Sequence, residues 1–420
     1  MLSILSSDVE IRQQVVVRIY KVKIGIYNEP RGGGIGGSEC MMAVLAEALS
    51  QSHKVDFVHH RKNFCLERLA EQSGTNLSHV HPRYVAPEPF PAISAARPWR
   101  RYQAVRKWHA TLSEPYDLFI ASVHEIPPFC HAPKGVLVVL FPIYAFPYIV
   151  LQHDEARVDG YTLRERLAGG YHRREWAERL NTYEVTTAIS QFSKVWTKRL
   201  WGAESQVVYP PVDTRFEVAN KFNLILSVGR FAIEGEGHTK KQAEMLTAFS
   251  TLRHSGFSNW NYFCAGGLGN SPRHYAYFDE LSRIGAECEA NVIANVARNE
   301  LKQLYEKSKI FWHAAGYGED EDVHPELTEH FGISTVEAMA AGCVPIVINR
   351  GGQREIVQHG VSGFLWDTLD ELKEYTLTVA RDEQLRERMS LAARRRAQDF
   401  SREKFVESFF ELLQPFYNNL

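Results

Sequence analysis

Short apolar runs alternate with amphipathic helical stretches along most of this chain, and no other feature constrains the fold as much: the alternation is the pattern of parallel sheets covered by helices. In the first half, VKIGIYN (22–28) leads through a glycine-rich turn to a helix beginning near Ser38, and 54–60, 116–122, 135–141 and 185–191 are further strand candidates. YPPVD (209–213) then interrupts any regular element. A second series follows at 222–230, 260–267, 291–296, 309–316, 343–349 and 363–366. A chain of 420 residues is too long for one ordinary core. The expectation is therefore an α/β protein with two tandem sheets joined near residue 213 and a cleft between them.

Charge excludes one class of partner. With 48 basic against 50 acidic residues, the chain offers no general electrostatic hold on nucleic acid. The six cysteines show neither CxxC pairs nor zinc-like spacing, which predicts reduced thiols in a cytoplasmic protein. The N-terminal MLSILSSDVEIRQQ lacks the basic and apolar regions of a signal peptide. The longest apolar run, 135–151, carries two prolines and reads as a buried strand plus an apolar loop, so no transmembrane helix is expected. Two locally basic stretches, 97–107 and 164–180, read first as solvated helix faces. With Trp99, Trp108 and Trp176 they also suggest peripheral contact with an anionic membrane.

RGGGIGGSE (31–39) satisfies G-x-G-x-x-G at Gly32, Gly34 and Gly37, between a strand and a helix. The dinucleotide fingerprint also requires an acid at the end of the next strand, where this chain has His59, His60 and Arg61. An NADP-binding oxidoreductase thus stays open only through that arginine. Glycines preceding a helix can equally present backbone N–H groups to phosphate or sugar oxygens of other ligands.

The second half carries a sharper signal. Glu329 and Glu337 stand eight apart; Phe331-Gly332 breaks the chain between them, and ISTVEAMAA starts a helix with Ile333, Ser334 and Thr335 in its first turn. Unpaired N–H groups and the helix dipole there make an anion site suited to a diphosphate, with carboxylates beside it to hold hydroxyls. A pair of carboxylates also suits a glycosidase, but that chemistry needs neither a helix-borne anion site nor an Arg/Lys pair. The acidic run Glu319–Asp322 reads as a solvated loop rather than a D-x-D metal clamp.

Glu329-x-Phe331-Gly332-x4-Glu337-Ala338, continued by Gly342, Pro345, Gly351-Gly352, Glu355-Ile356-Val357 and Gly360-x2-Gly363, resembles the E-x7-E signature of the retaining glycosyltransferases of family 4. Ser227-Val228-Gly229-Arg230 with Lys240, Ser190-x-Phe192-Ser193 and the GGSE of Gly36 to Glu39 extend the resemblance over nearly the whole chain. It implies a GT-B fold: a Rossmann-like acceptor domain at 1–212, a nucleotide-sugar domain at 213–400, and a helix at 401–420 crossing back to the first domain. It also implies that Arg230 and Lys240 neutralise a donor diphosphate, that Glu337 binds ribose hydroxyls, that Glu329 holds the sugar and that Val296 lies near the base. Gly36 and Gly37 would close on the donor from the opposite wall.

The resemblance breaks in the first domain. Where many relatives have a histidine after an apolar strand, this chain has Phe141, leaving His124 as the nearest substitute for a catalytic role. Front-face retention, in which the leaving phosphate takes the acceptor proton, needs no protein base and tolerates that change. The expected activity is metal-independent transfer of a hexose from GDP-mannose or a UDP-sugar to a glycan or lipid-linked acceptor, with no cofactor. A nucleotide-sugar epimerase or glycan phosphorylase is the alternative.

Overall fold

The computed structural model describes residues 21–28, 35–87, 98–143, 174–217, 219–233, 235 and 239–417. The first sheet holds β1 (Lys23–Asn28), β2 (Lys54–His59), β3 (Val80–Tyr84), β4 (Leu118–Val123), β5 (Lys134–Val139), β6 (Val185–Ala188) and β7 (Gln206–Val207), in the order β3-β2-β1-β4-β5-β6-β7. Its helices are α1 (Gly37–Ser50), α2 (Leu66–Ser73), α3 (Pro98–Ser113), α4 (174–180) and α5 (Gln191–Trp201). The second sheet holds β8 (Phe222–Val228), β9 (Asn261–Gly266), β10 (Asn291–Ala294), β11 (Ser308–His313), β12 (Val344–Ile348) and β13 (Phe364–Trp366), in the order β10-β9-β8-β11-β12-β13. Around it lie α6 (Gln242–His254), α7 (Pro272–Glu287), α8 (Arg298–Lys307), α9 (Ile333–Ala340), α10 (Gln353–Ile356), α11 (Leu369–Arg381) and α12 (Glu383–Ala397), and α13 (Arg402–Tyr417) ends the described chain.

All strand pairings among the described residues are parallel. Central strands such as β4 and β12 are buried at every position, as strands covered by helices on both faces must be. Both sheets reverse direction in the same way, between β1 and β4 and between β8 and β11. In such sheets ligands bind beyond the carboxyl ends of the strands at that reversal. The predicted strands are therefore present; β3 and β7 are additional.

One apolar cluster runs through both halves, joining Ile26, Leu45 and Leu49 of the first to Leu226, Phe311 and Met339 of the second. Phe405, Phe409 and Leu413 of α13 complete it, so this aromatic stripe packs against α1 and is not exposed for a ligand. Val212 donates its N–H to Phe400 O at 3.0 Å and bridges Ser401, which places the two connections between the halves side by side.

Charged groups fasten the halves together. Arg298 donates to Glu71 O and Gln72 O at 3.1 and 3.0 Å, and Arg402 to Gly74 O at 3.0 Å, so two guanidinium groups meet the carbonyl end of α2. In the other direction the Glu355 carboxylate accepts from Gln191 N and Phe192 N, at 2.8 and 3.2 Å, capping α5 from the second half.

Candidate active site

The turn after β8 is shaped by its glycine. A Cβ on Gly229 would lie 2.6 Å from Lys240 Cγ, so only a residue without a side chain lets the lysine stem cross there. Gln242, almost wholly buried, steadies the turn by donating Nε2–H to Arg230 O at 3.0 Å. Arg230 is exposed beside it and makes no ion pair among the described residues.

Lys240 reaches Glu329: Nζ lies 2.5 Å from Oε2, with both side chains 14% exposed. His313, at the end of β11, places Nε2 2.9 Å from the same oxygen. Burial pushes the His313 imidazole below its usual range, against the pull of Glu329, so the ring is neutral and donates from Nε2. The loop carrying Glu329 is held by Gly352 N, which donates to Glu329 O at 2.8 Å, and a Cβ on Gly351 would lie 2.3 Å from that carbonyl oxygen.

Gly332, at φ +127°, turns the chain into α9. The N–H groups of Ile333 and Ser334 have no acceptor among the described residues, whereas Thr335 N is bonded to Gly332 O at 3.0 Å. The Thr335 hydroxyl is buried with no hydrogen-bond partner among the described residues. The start of α9 thus keeps free donors and a positive dipole end. Glu337, one turn further on, accepts from the buried Tyr305 hydroxyl at 3.0 Å. Burial pushes its carboxyl up to about 7, assisted by the nearby Asp213 and opposed by Tyr305 and Arg298.

Lys240, Glu329 and α9 therefore share one edge of the second sheet, with Arg230 at its rim. The first half supplies the facing wall: a Cβ on Gly37 would lie 3.0 Å from Ile333 Cδ1. Gly36 departs from the expected role, because its N–H donates to Glu39 Oε2 at 2.9 Å and is not open to a ligand. Gly32 and Gly34 lie outside the described residues. Val296 follows β10, half-buried against the shared core. The Phe331 side chain packs on Tyr209 and Phe400, so only its backbone borders the site. His124 is half-buried after β4, and its carbonyl accepts from Ile143 N at 2.8 Å.

Three expectations require correction. Trp176 is buried edge-on to Trp201 and so is not presented to a membrane, whereas Trp108 is half-buried and donates its indole N–H to Ala86 O. Arg179, in the second basic stretch, is buried and paired with Glu175 at 2.5 Å rather than solvated. The run 319–322 is solvated only in part: Asp320 and Asp322 are exposed, but Glu319 pairs with Lys241 at 2.7 Å and Glu321 with Arg354 at 2.6 Å. His313 and Tyr305 were not foreseen. Their only sequence signal is a polar atom on an otherwise apolar strand or helix face.

Residues 213–396 match the family of glycosyl transferases group 1. Among curated proteins, the chain is 26% identical over 237 residues to the GDP-Man:Man(3)GlcNAc(2)-PP-Dol alpha-1,2-mannosyltransferase of Dictyostelium discoideum, covering 53% of this chain and 45% of that protein. It is 38% identical over 84 residues to the human alpha-1,3/1,6-mannosyltransferase ALG2, one fifth of each chain. The chain thus spans less than half the length of these relatives. Among solved structures, Anabaena Alr3699/HepE in complex with UDP and glucose superposes with TM-score 0.62 at 19% identity over 94% of this chain and 99% of that one. WaaG, a glycosyltransferase involved in lipopolysaccharide biosynthesis, gives 0.57 at 16% identity over 92% and 98%. The repeated sheet order and these superpositions give the chain the two-domain GT-B fold, with residues 213–396 matching the glycosyl transferases of group 1.

Proposed function

We propose that this protein is a retaining glycosyltransferase that moves a hexose from a nucleotide diphosphate sugar, GDP-mannose or a UDP-sugar, to a hydroxyl of a glycan or lipid-linked acceptor. The observation that carries this reading is the convergence of Lys240, Glu329 and the open N–H groups of α9 at the reversal of the second sheet. As the bond between the anomeric carbon and the phosphate oxygen breaks, negative charge gathers on the diphosphate. Lys240, Arg230 and the start of α9 stabilise it without requiring a metal. The acceptor oxygen bonds to the same carbon, on the face the phosphate leaves, and its proton passes to a phosphate oxygen.

Glu329 holds sugar hydroxyls and Glu337 the ribose; the first domain, including His124, faces the acceptor. The relatives named GDP-Man mannosyltransferases support the mannose donor, and the UDP-bound structure supports keeping UDP-sugars in the set. No helix among the described residues is long and apolar enough to cross a membrane.

The test is nucleotide release from a panel of nucleotide sugars, with and without acceptor and with EDTA. Acceptor-dependent release that survives EDTA, with the product anomer matching the donor, is expected, and Glu329→Ala should lower kcat/KM about 100-fold or more. Turnover without acceptor would favour an epimerase and phosphate-dependent turnover a phosphorylase; an unaffected Glu329→Ala would overturn the reading.

A further inference from the structure

Two donors converge on one oxygen in this site. Lys240 Nζ and His313 Nε2 lie 2.5 and 2.9 Å from Glu329 Oε2, but the two groups differ in mobility. Lys240 ends a flexible stem over Gly229, whereas His313 is 3% exposed and paired with Val347 in the sheet. Since Oε2 accepts, the ring proton is on Nε2. Nδ1 is then a bare acceptor, buried with no hydrogen-bond partner among the described residues. The ring also borders a small recess lined by Ser227, Gly229, Lys240 and Gln242.

An arriving diphosphate competes with Glu329 for Lys240. Once the lysine turns to the phosphates, Glu329 would lose its strongest tether at the moment its direction matters. We propose that His313 is a positioning residue for the transfer: its fixed Nε2–H keeps the Glu329 carboxylate aimed at the donor sugar after Lys240 has moved. A neutral donor suits this role, because a second cation would compete with the sugar hydroxyls for the carboxylate. The inference rests on the reading of the site given above.

The experiment compares donor turnover by the full chain and by His313→Leu, His313→Gln, Glu329→Gln and the double variant His313→Leu/Glu329→Gln. A hydrogen bond to a charged group predicts that His313→Leu loses roughly 10- to 100-fold in kcat, with the donor KM held within about threefold because the phosphate contacts remain. His313→Gln, which keeps an amide donor at the same reach, should recover most of that loss. The double variant should be no slower than Glu329→Gln alone, because His313 acts through that carboxylate. Parent-like kcat in His313→Leu, or additive losses in the double variant, would overturn the proposal. If His313→Leu does not fold, ¹⁵N NMR of the parent decides: a neutral ring protonated at Nε2 at pH 7 supports it, and the opposite tautomer or an imidazolium refutes it. A parent that turns over no nucleotide sugar would defeat the functional reading, while the NMR result would still judge the His313–Glu329 geometry.

Discussion

The ring of Phe141 lies flat against that of His330, with centroids 3.9 Å apart and planes within 6° of parallel. Phe141, two residues beyond β5 in the first domain, thus touches the residue following Glu329 in the second. Ser190 reinforces the contact by donating Oγ–H to His330 O at 2.6 Å. Phe141→Ala should destabilise the protein by about 3–5 kcal/mol, the usual cost of deleting a buried phenyl ring. Chemical denaturation measures this. Phe141→His should retain most of the stack and stay well above the alanine variant.

Gly229→Ala tests the passage of the lysine stem. Its Cβ would lie 2.6 Å from Lys240 Cγ, a flexible side chain, so the fold should survive while Lys240 is displaced from Glu329. A fall in kcat/KM of roughly 10- to 100-fold with little change in Tm is expected. Gly266→Ala is the contrast, because its Cβ would lie 1.8 Å from Gly229 O, a backbone atom that cannot yield. That variant should lose thermal stability outright.

Glu337 predicts a pH dependence whose sign follows from burial. Its carboxyl rises from 4.5 to about 7 in the folded chain. The protonated form is thus favoured by folding: the contribution is complete below about pH 4.5 and is lost as the pH rises through about 7. Compared with Glu337→Gln, the parent should lose stability across that window in melting experiments without nucleotide. Nucleotide affinity should move the opposite way, strengthening as the carboxylate forms, and a titration series in calorimetry reads this.

Gly37→Val tests the facing wall. The added side chain would meet the flexible end of Ile333, so nucleotide binding should change less than about threefold while turnover falls about tenfold or more. Equal losses in both would make the loop part of primary phosphate recognition.

The second sheet was legible because its strands are continuous apolar runs and its signature spacing places Glu329 and Glu337 around one helix start. β3 was not, since VHPRY carries a proline and only its first residue is buried. Lys240 and Glu329 were each placed at the donor by separate motifs, although their pairing with each other was not foreseen. By contrast, the His313–Glu329 bond joins two polar groups from different elements, and the Glu355 cap on α5 joins residues 164 positions apart. Such contacts depend on how finished elements meet, so neither periodicity nor local turn chemistry announces them. The glycine loop misled in the opposite sense: Glu39, just inside α1, takes the Gly36 N–H that the motif assigns to a ligand.

The chain passes between its halves at Val212 and again at Ser401, and these two passages are hydrogen-bonded to each other. Two adjacent threads make a hinge with one axis. Sliding would break the Val212–Phe400 bond and part α13 from α1, whereas a swing about the paired threads keeps both. A door-like swing about these threads would uncap α5 from Glu355 and draw Arg298 from the end of α2, so those contacts set its cost.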